Sequence, residues 1–173
     1  MTDEPSRTDP PPGGKPVVPV ENEVIEALVA ADWTIAIAES LTGGVISARL
    51  CSCPGTEDRM LGGVVSYATD AKRRVLDVRG DVVSGDAALT MARSVRELFG
   101  ADVGLSLTGV AGPERQEGQP VGTVFVGWCT PAGEGCAHLA CAGAPEQIRR
   151  ETAAAALGVI LEAVERGGAS APR

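Results

Sequence analysis

Aromatic residues are scarce in this sequence of 173 residues, which contains two Trp, two Phe and one Tyr. Ala, Val, Leu and Gly must therefore form most of the core, and small apolar side chains suit closely packed α/β layers. Basic residues are also few, with 15 Lys and Arg against 23 Asp and Glu and a net charge of −8. Because sequence-independent binding to DNA or RNA depends on a basic surface, we expect no nucleic-acid partner.

Long apolar runs are missing as well. No stretch of about 18 apolar residues is present, which argues against a transmembrane helix and a membrane partner. The first 19 residues are polar and rich in Pro, without the apolar centre of a secretory signal. We therefore expect a cytoplasmic protein with a disordered tail at 1–19, one domain at 20–167 and a short C-terminal tail at 168–173.

Cysteine and histidine are too few to indicate a metal or redox site. The five cysteines are an odd number, which argues against a disulfide framework. Cys136, His138 and Cys141 look like part of a zinc site, but the C-x₂-C pair of structural zinc modules is missing, so we expect no metal. His138 is the only histidine, and no motif supports it as a member of a Ser-His-Asp triad. We therefore expect chemistry without histidine.

Apolar runs alternate with amphipathic segments along the chain. This alternation predicts a three-layer α/β/α sandwich, with a mostly parallel sheet and one antiparallel hairpin. The predicted strands lie near 33–38, 63–67, 102–107, 122–129 and 135–141, and the predicted helices near 21–31, 43–50, 70–76, 84–99 and 145–166.

Unusual polar residues follow three of the predicted strands. Residues 39–42 follow the first strand, Ser66 and Tyr67 end the second, and Thr108 and Gly109 follow the third. In α/β sheets, ligands bind beyond the carboxyl ends of the strands. We therefore expect these three segments to form a single site.

The segment Ala38-Glu39-Ser40-Leu41-Thr42-Gly43-Gly44 joins a predicted strand to a predicted helix N-terminus. Backbone N–H groups and the helix dipole suit an anion or a developing oxyanion there, so the N–H groups of 42–44 are a candidate oxyanion hole. A hydroxyl nucleophile needs a base, and lysine can serve where histidine is absent. Either Ser40 or Thr42 could attack, with Lys72 as base and Tyr67 as proton relay. The alternatives are helix capping for both hydroxyls, a solvated surface role for Lys72 and a core role for Tyr67.

The same residues resemble the C-terminal domain family of the competence/damage-inducible protein CinA. The matching stretches are Ala38–Gly44, Gly62–Tyr67 with Ala71-Lys72, Thr108–Pro113 and Pro120–Val124, and they span a domain from about 22 to 165. Stand-alone members hydrolyse the carboxamide of nicotinamide mononucleotide to nicotinate mononucleotide and ammonia. The resemblance implies no metal or organic cofactor, and a homodimer or higher homo-oligomer. It implies Ser40, Tyr67 and Lys72 as catalytic residues, and a substrate site formed by Glu39, Thr42, Gly43, Gly44, Thr108, Gly109 and Gly112.

Three segments depart from the family pattern. Glu114-Arg115-Gln116-Glu117 stands where glycines are usual, Gly143-Ala144-Pro145 replaces Gly-Asp-Arg, and the segment 76–85 is several residues short. If the missing arginine binds phosphate in the family, Arg149 or Arg115 would have to replace it here. These departures leave two alternatives to the amidase: a catalytically degenerate domain that binds a nucleotide or a protein, and hydrolysis of a different small amide.

Overall fold

The computed structural model describes residues 18–168. The two predicted tails lie almost wholly outside the described residues, at 1–17 and 169–173. The elements in chain order are α1 (Val20–Ala31), β1 (Ile35–Glu39), α2 (Val45–Cys51), β2 (Met60–Val65), α3 (Thr69–Val75), α4 (Gly85–Phe99), β3 (Val103–Gly109), β4 (Thr123–Thr130), β5 (Gly133–Ala140) and α5 (Pro145–Gly168). No helix in the described range is long and apolar enough to cross a membrane.

The five strands form one mixed sheet in the order β2-β1-β3-β4-β5. Strand β1 pairs in parallel with both β2 and β3, so three of the five strands are parallel. Strands β4 and β5 form an antiparallel hairpin whose two-residue turn is Pro131-Ala132. The predicted α/β fold class is therefore confirmed. Because β1, β2 and β3 run in one direction, their carboxyl ends meet at the same edge of the sheet.

Helices cover both faces of the sheet and make it the middle of three layers. Helices α1, α2 and α5 pack on one face, where residues such as Leu28, Ile37 and Leu157 form the larger core cluster. Helix α4 packs on the other face, where Met91 and Val95 form a second cluster. Strands β1 and β3 are buried along their full length, which fits their mostly apolar sequences.

Helix α4 lies unusually close to the sheet. A Cβ atom at Gly104 would stand 2.0 Å from the carbonyl oxygen of Ala92, and one at Gly127 would stand 2.5 Å from the backbone of Ala88. Glycine is thus required where backbone meets backbone. At its start, the hydroxyl of Ser84 accepts the N–H of Ala87 at 3.1 Å, so Ser84 is the N-cap of α4. This contact fixes the position of the segment that precedes α4.

Two element boundaries near the expected site differ from those predicted. Strand β2 ends at Val65, and the N–H of Ser66 makes one more bond to the carbonyl oxygen of Glu39 at 2.8 Å. Tyr67 therefore lies in the connection to α3. Helix α2 begins only at Val45, because Gly43 and Gly44 have φ angles of 65° and 100°, which are not helical.

Candidate functional site

A cavity of about 100 Å³ lies at the shared carboxyl edge of β1, β2 and β3. The segments that follow these three strands all contribute to its wall, as the polar residues at the predicted strand ends suggested. Its lining residues are Ser40, Leu41, Tyr67, Lys72, Gly109, Val110, Ala111, Gly112, Glu114 and Gln116. The cavity therefore brings together the three expected catalytic residues with two of the expected substrate-site glycines.

Three clefts of about 550, 680 and 600 Å³ lie elsewhere on the described surface and are larger. None of them combines a hydroxyl nucleophile with a lysine. We therefore take the small cavity as the candidate site because of the side chains that line it, although it is smaller than the other clefts.

Lys72 extends from α3 into this cavity and is only 2% exposed. Within residues 18–168 no carboxylate forms an ion pair with it, and its ammonium makes no hydrogen bond. Burial lowers the pKa of Lys72, and the negative charge of Glu117 opposes this by raising it. A lysine whose pKa is lowered is neutral over a wider pH range and can accept a proton. The surface role considered for Lys72 is therefore wrong.

Ser40 and Tyr67 reach the cavity in different ways. Ser40 follows β1 directly and is 3% exposed, so its hydroxyl is enclosed by the site. Tyr67 is 64% exposed and stands at the rim, so its alternative role as a core residue is wrong. A phenol at the rim can pass a proton between an enclosed group and solvent.

Glu39 is fully buried and caps α2. Its carboxylate accepts the N–H groups of Gly44, Ile46 and Ser47 at 3.0, 3.2 and 2.8 Å, and the hydroxyl of Ser47 at 2.6 Å. A carboxylate at a helix N-terminus is stabilised by the unpaired N–H groups and by the helix dipole. Glu39 therefore supports the site from behind and does not line the cavity.

The turn after β1 differs from the predicted oxyanion hole. The N–H of Gly43 donates to the carbonyl oxygen of Ser40 at 3.1 Å, and the N–H of Gly44 donates to Glu39. Both groups are therefore engaged inside the turn, and the anion at the start of α2 is the protein's own carboxylate. Neither Ser40 nor Thr42 caps α2, whose N-cap is Gly44 without a side-chain bond, so the capping alternative is wrong for both.

The other expected substrate-site residues do not line the cavity. Thr42 is 2% exposed, and its hydroxyl has no hydrogen-bond partner among the described residues. Thr108 is fully buried and donates its hydroxyl to the carbonyl oxygen of Val82. Of the two candidate nucleophiles, only Ser40 lines the cavity.

Sequence reasoning missed the loop that follows Gly112 as part of the wall. Glu114 and Gln116 line the cavity from this loop. The only signal was their position beyond the Thr108–Pro113 motif, where the chain departs from the family. Arg149, considered as a phosphate ligand, comes from α5 and donates its Nε–H to the carbonyl oxygen of Leu41 at 3.0 Å, which places it beside the cavity. No cluster of three potential metal ligands occurs among residues 18–168.

The sequence of this chain matches a known protein family. Residues 18–164 match the model described as the CinA C-terminal domain. The chain belongs to the CinA C-terminal domain family. A putative competence-damage inducible protein of Desulforamulus reducens is 42% identical over 144 residues, which are 80% of this chain and 35% of that protein. A CinA-like protein of Frankia casuarinae is 37% identical over 82% of this chain and 34% of its own length. This CinA domain thus spans about a third of these relatives.

Solved structures agree with the fold of this CinA domain. A CinA superfamily protein from Klebsiella pneumoniae superposes with a TM-score of 0.81 and 31% identity, covering 85% of this chain and 96% of the other. A competence/damage-inducible protein from Agrobacterium tumefaciens gives a TM-score of 0.76 at 27% identity, with 85% and 96% covered. The resemblance expected from the short motifs is confirmed, while the names of these proteins specify no reaction.

Proposed function

We propose that this CinA domain hydrolyses the carboxamide of nicotinamide mononucleotide, giving nicotinate mononucleotide and ammonia. The observation that supports this most is the enclosure of the Ser40 hydroxyl in one cavity with a buried lysine that has no ion-pair partner in the described chain. This pair supplies the nucleophile and base that amide hydrolysis needs. The family resemblance supplies the substrate.

In the proposed reaction, neutral Lys72 takes the hydroxyl proton as Ser40 Oγ attacks the carboxamide carbon. The tetrahedral intermediate collapses, the C–N bond breaks, and the proton held by Lys72 passes to the leaving nitrogen, which departs as ammonia. Water then attacks the acyl-serine ester, and Lys72 takes its proton and returns one to Ser40. Tyr67, at the rim, relays protons between this pair and solvent.

The size of the cavity constrains the binding mode. Pockets that enclose a whole small ligand measure roughly 300–1,000 Å³, whereas this cavity measures about 100 Å³. We therefore propose that the carboxamide end enters and that the ribose phosphate lies on the surface. Arg149 is a candidate anchor, because its Nε–H donates to the carbonyl oxygen of the cavity residue Leu41 and no ion pair engages its guanidinium within the described chain.

The test is ammonia release by purified protein in EDTA, with nicotinamide, its riboside and its mononucleotide as substrates. We expect turnover of the mononucleotide, and a loss of roughly 10³-fold or more in Ser40→Ala and in Lys72→Ala. Ser52→Ala is the matched control, because Ser52 does not line the cavity. Full activity in either cavity variant would refute the mechanism. Turnover of the riboside at equal efficiency would refute the phosphate contact.

A second candidate function is hydrolysis of a different small amide that carries no phosphate. Glu114 contributes to the cavity lining, and its carboxylate would repel a phosphate. Ammonia release from nicotinamide or its riboside, and not from the mononucleotide, would favour this alternative. Self-association and a cytoplasmic location stay predictions.

A further inference from the structure

Two ionisable side chains of opposite sign share the cavity of the candidate site. Lys72 and Glu114 both contribute to its lining, and they form no ion pair with each other. Lys72 is 2% exposed, whereas Glu114 is exposed and makes no hydrogen bond or ion pair with another residue in 18–168. The lysine is therefore enclosed by the cavity, and Glu114 offers an unpaired carboxylate at its mouth.

The loop that follows Glu114 is tied to the rest of the domain. Residues 116–119 form a turn that is closed by two backbone hydrogen bonds of 3.3 and 2.8 Å. Within this turn the carboxylate of Glu117 accepts the N–H of Val83 at 2.9 Å, which joins the loop to the segment before α4. The guanidinium of Arg115 donates to a carbonyl oxygen of the same turn at 2.7 Å and forms no ion pair with Glu114. An anchored loop thus presents Glu114 at the mouth with its charge unopposed.

The groups around this opening favour a positively charged ligand. A lysine that acts as a base is neutral when the substrate binds, so Glu114 then supplies the one formal charge among the residues of the lining. Tyr67 is 64% exposed at the rim, and the face of an aromatic ring also attracts a cation. A carboxylate and an aromatic ring at one opening together suit a cationic organic ring.

We propose that Glu114 is a specificity-determining residue of this site, which selects carboxamides on a positively charged ring over carboxamides on a neutral ring. This inference rests on the proposed amidase. In nicotinamide mononucleotide the ring nitrogen is bonded to the ribose and carries a positive charge, whereas the ring of free nicotinamide is neutral. With the carboxamide in the cavity, the ring nitrogen lies toward the mouth, where the Glu114 carboxylate attracts it. The same carboxylate repels the phosphate, which favours entry of the substrate with its carboxamide first.

The first experiment measures binding without turnover. The probes are 1-methylnicotinamide, which is a cation, and 3-methylbenzamide, which has the same shape with carbon in place of the ring nitrogen. Their dissociation constants are measured by NMR titration of the Ser40→Ala protein. We expect the cation to bind at least about fivefold more tightly, because about 1 kcal/mol is the attraction of two unit charges roughly 4 Å apart in water. In Glu114→Gln, made in the same background, this preference should fall by about fivefold, and in Glu114→Lys it should fall further.

Glu57→Gln is the matched control for this measurement. Glu57 is an exposed carboxylate before β2 and does not line the cavity, so its replacement should leave the preference unchanged. Three results would overturn the proposal: no binding of the cation to the folded parent, an unchanged preference in Glu114→Gln, or an equal loss of affinity for both probes. The last of these would assign Glu114 a structural role.

Ammonia release separates this inference from the proposed function. Glu114→Gln should lower kcat/KM for the riboside about fivefold, since the riboside has the charged ring and no phosphate. For the mononucleotide the loss should be smaller, because relief of the phosphate repulsion offsets part of it. A riboside kcat/KM that stays at the parent value would count against the role of Glu114. If the parent releases ammonia from neither substrate, the proposed amidase fails, and the NMR preference still decides whether Glu114 selects a cationic ring.

Discussion

Replacement of Glu39 by glutamine tests the idea that this carboxylate holds α2 against the end of β1. The carboxylate has two oxygens, which between them accept four hydrogen bonds from Gly44, Ile46 and Ser47. Glutamine has nearly the same shape but offers one oxygen and one NH₂ group. The NH₂ group of glutamine must therefore face at least one of the N–H groups that the carboxylate accepts in the parent.

The size of the effect follows from those four bonds. If the amide oxygen serves Gly44 and Ile46, the NH₂ group faces the N–H of Ser47, and a buried donor without an acceptor costs about 1–3 kcal/mol. The two bonds that persist lose their charge assistance, at about 1 kcal/mol each. We therefore expect Glu39→Gln to lower the free energy of unfolding by roughly 3–5 kcal/mol. Ser47→Ala removes only the 2.6 Å hydroxyl bond and should cost about 1–2 kcal/mol.

The measurement is urea unfolding followed by circular dichroism at pH 7, with the midpoint and slope fitted for the parent and both variants. Domains of this kind have about 5–15 kcal/mol of stability, so Glu39→Gln should still fold in the absence of urea. A loss below about 1 kcal/mol in Glu39→Gln, with an unchanged slope, would show that the carboxylate does not hold the start of α2.

Two further predictions concern Lys72 and Arg149. The pKa of Lys72 is lowered by burial in the folded chain, so between its folded and unfolded pKa values the unfolded chain binds more protons and stability rises with pH. Lys72→Met should therefore have a higher free energy of unfolding than the parent in urea at pH 7. The difference should become smaller as the pH rises toward the pKa of the unfolded chain. An equal difference at pH 7 and pH 10 would contradict this. Arg149→Ala should raise KM for the mononucleotide at least tenfold in steady-state ammonia assays while the riboside is unaffected, and an equal loss for both substrates would indicate that Arg149 only supports Leu41.

The fold and the edge of the sheet that carries the site were predictable from sequence. Alternating apolar runs and amphipathic segments predict the three layers, and polar residues after β1, β2 and β3 indicate the shared edge. Ser40, Tyr67 and Lys72 were predicted as one site because a hydroxyl, a phenol and a lysine at or just after strand ends suggest one reaction, and all three line the same cavity. These residues come together because β1, β2 and β3 are parallel neighbours, so the segments that follow them lie at one edge of the sheet.

The roles of the carboxylates were not predictable in this way. The position of Glu39 after a strand is compatible with a substrate contact and equally with a contact to helix N–H groups. In the structure its carboxylate accepts N–H groups five to eight residues further along the chain. Glu117 has a positive φ in a turn at 116–119, a position that sequence rules assign to Asn or Gly, so no local signal marked the turn. The partners of Glu39 are local, whereas Glu117 accepts the N–H of Val83, which is 34 residues away.

The antiparallel half of the sheet has a consequence for how the chain can change. Strand β3 runs toward the cavity and β4 runs away from it, so the hairpin turn at Pro131-Ala132 lies at the opposite edge. Mutations that change the length or composition of that turn therefore act on the end of the molecule opposite the candidate site. In the proposed amidase, the edge with the cavity is under catalytic constraint, whereas the edge with the hairpin turn can vary with little effect on turnover.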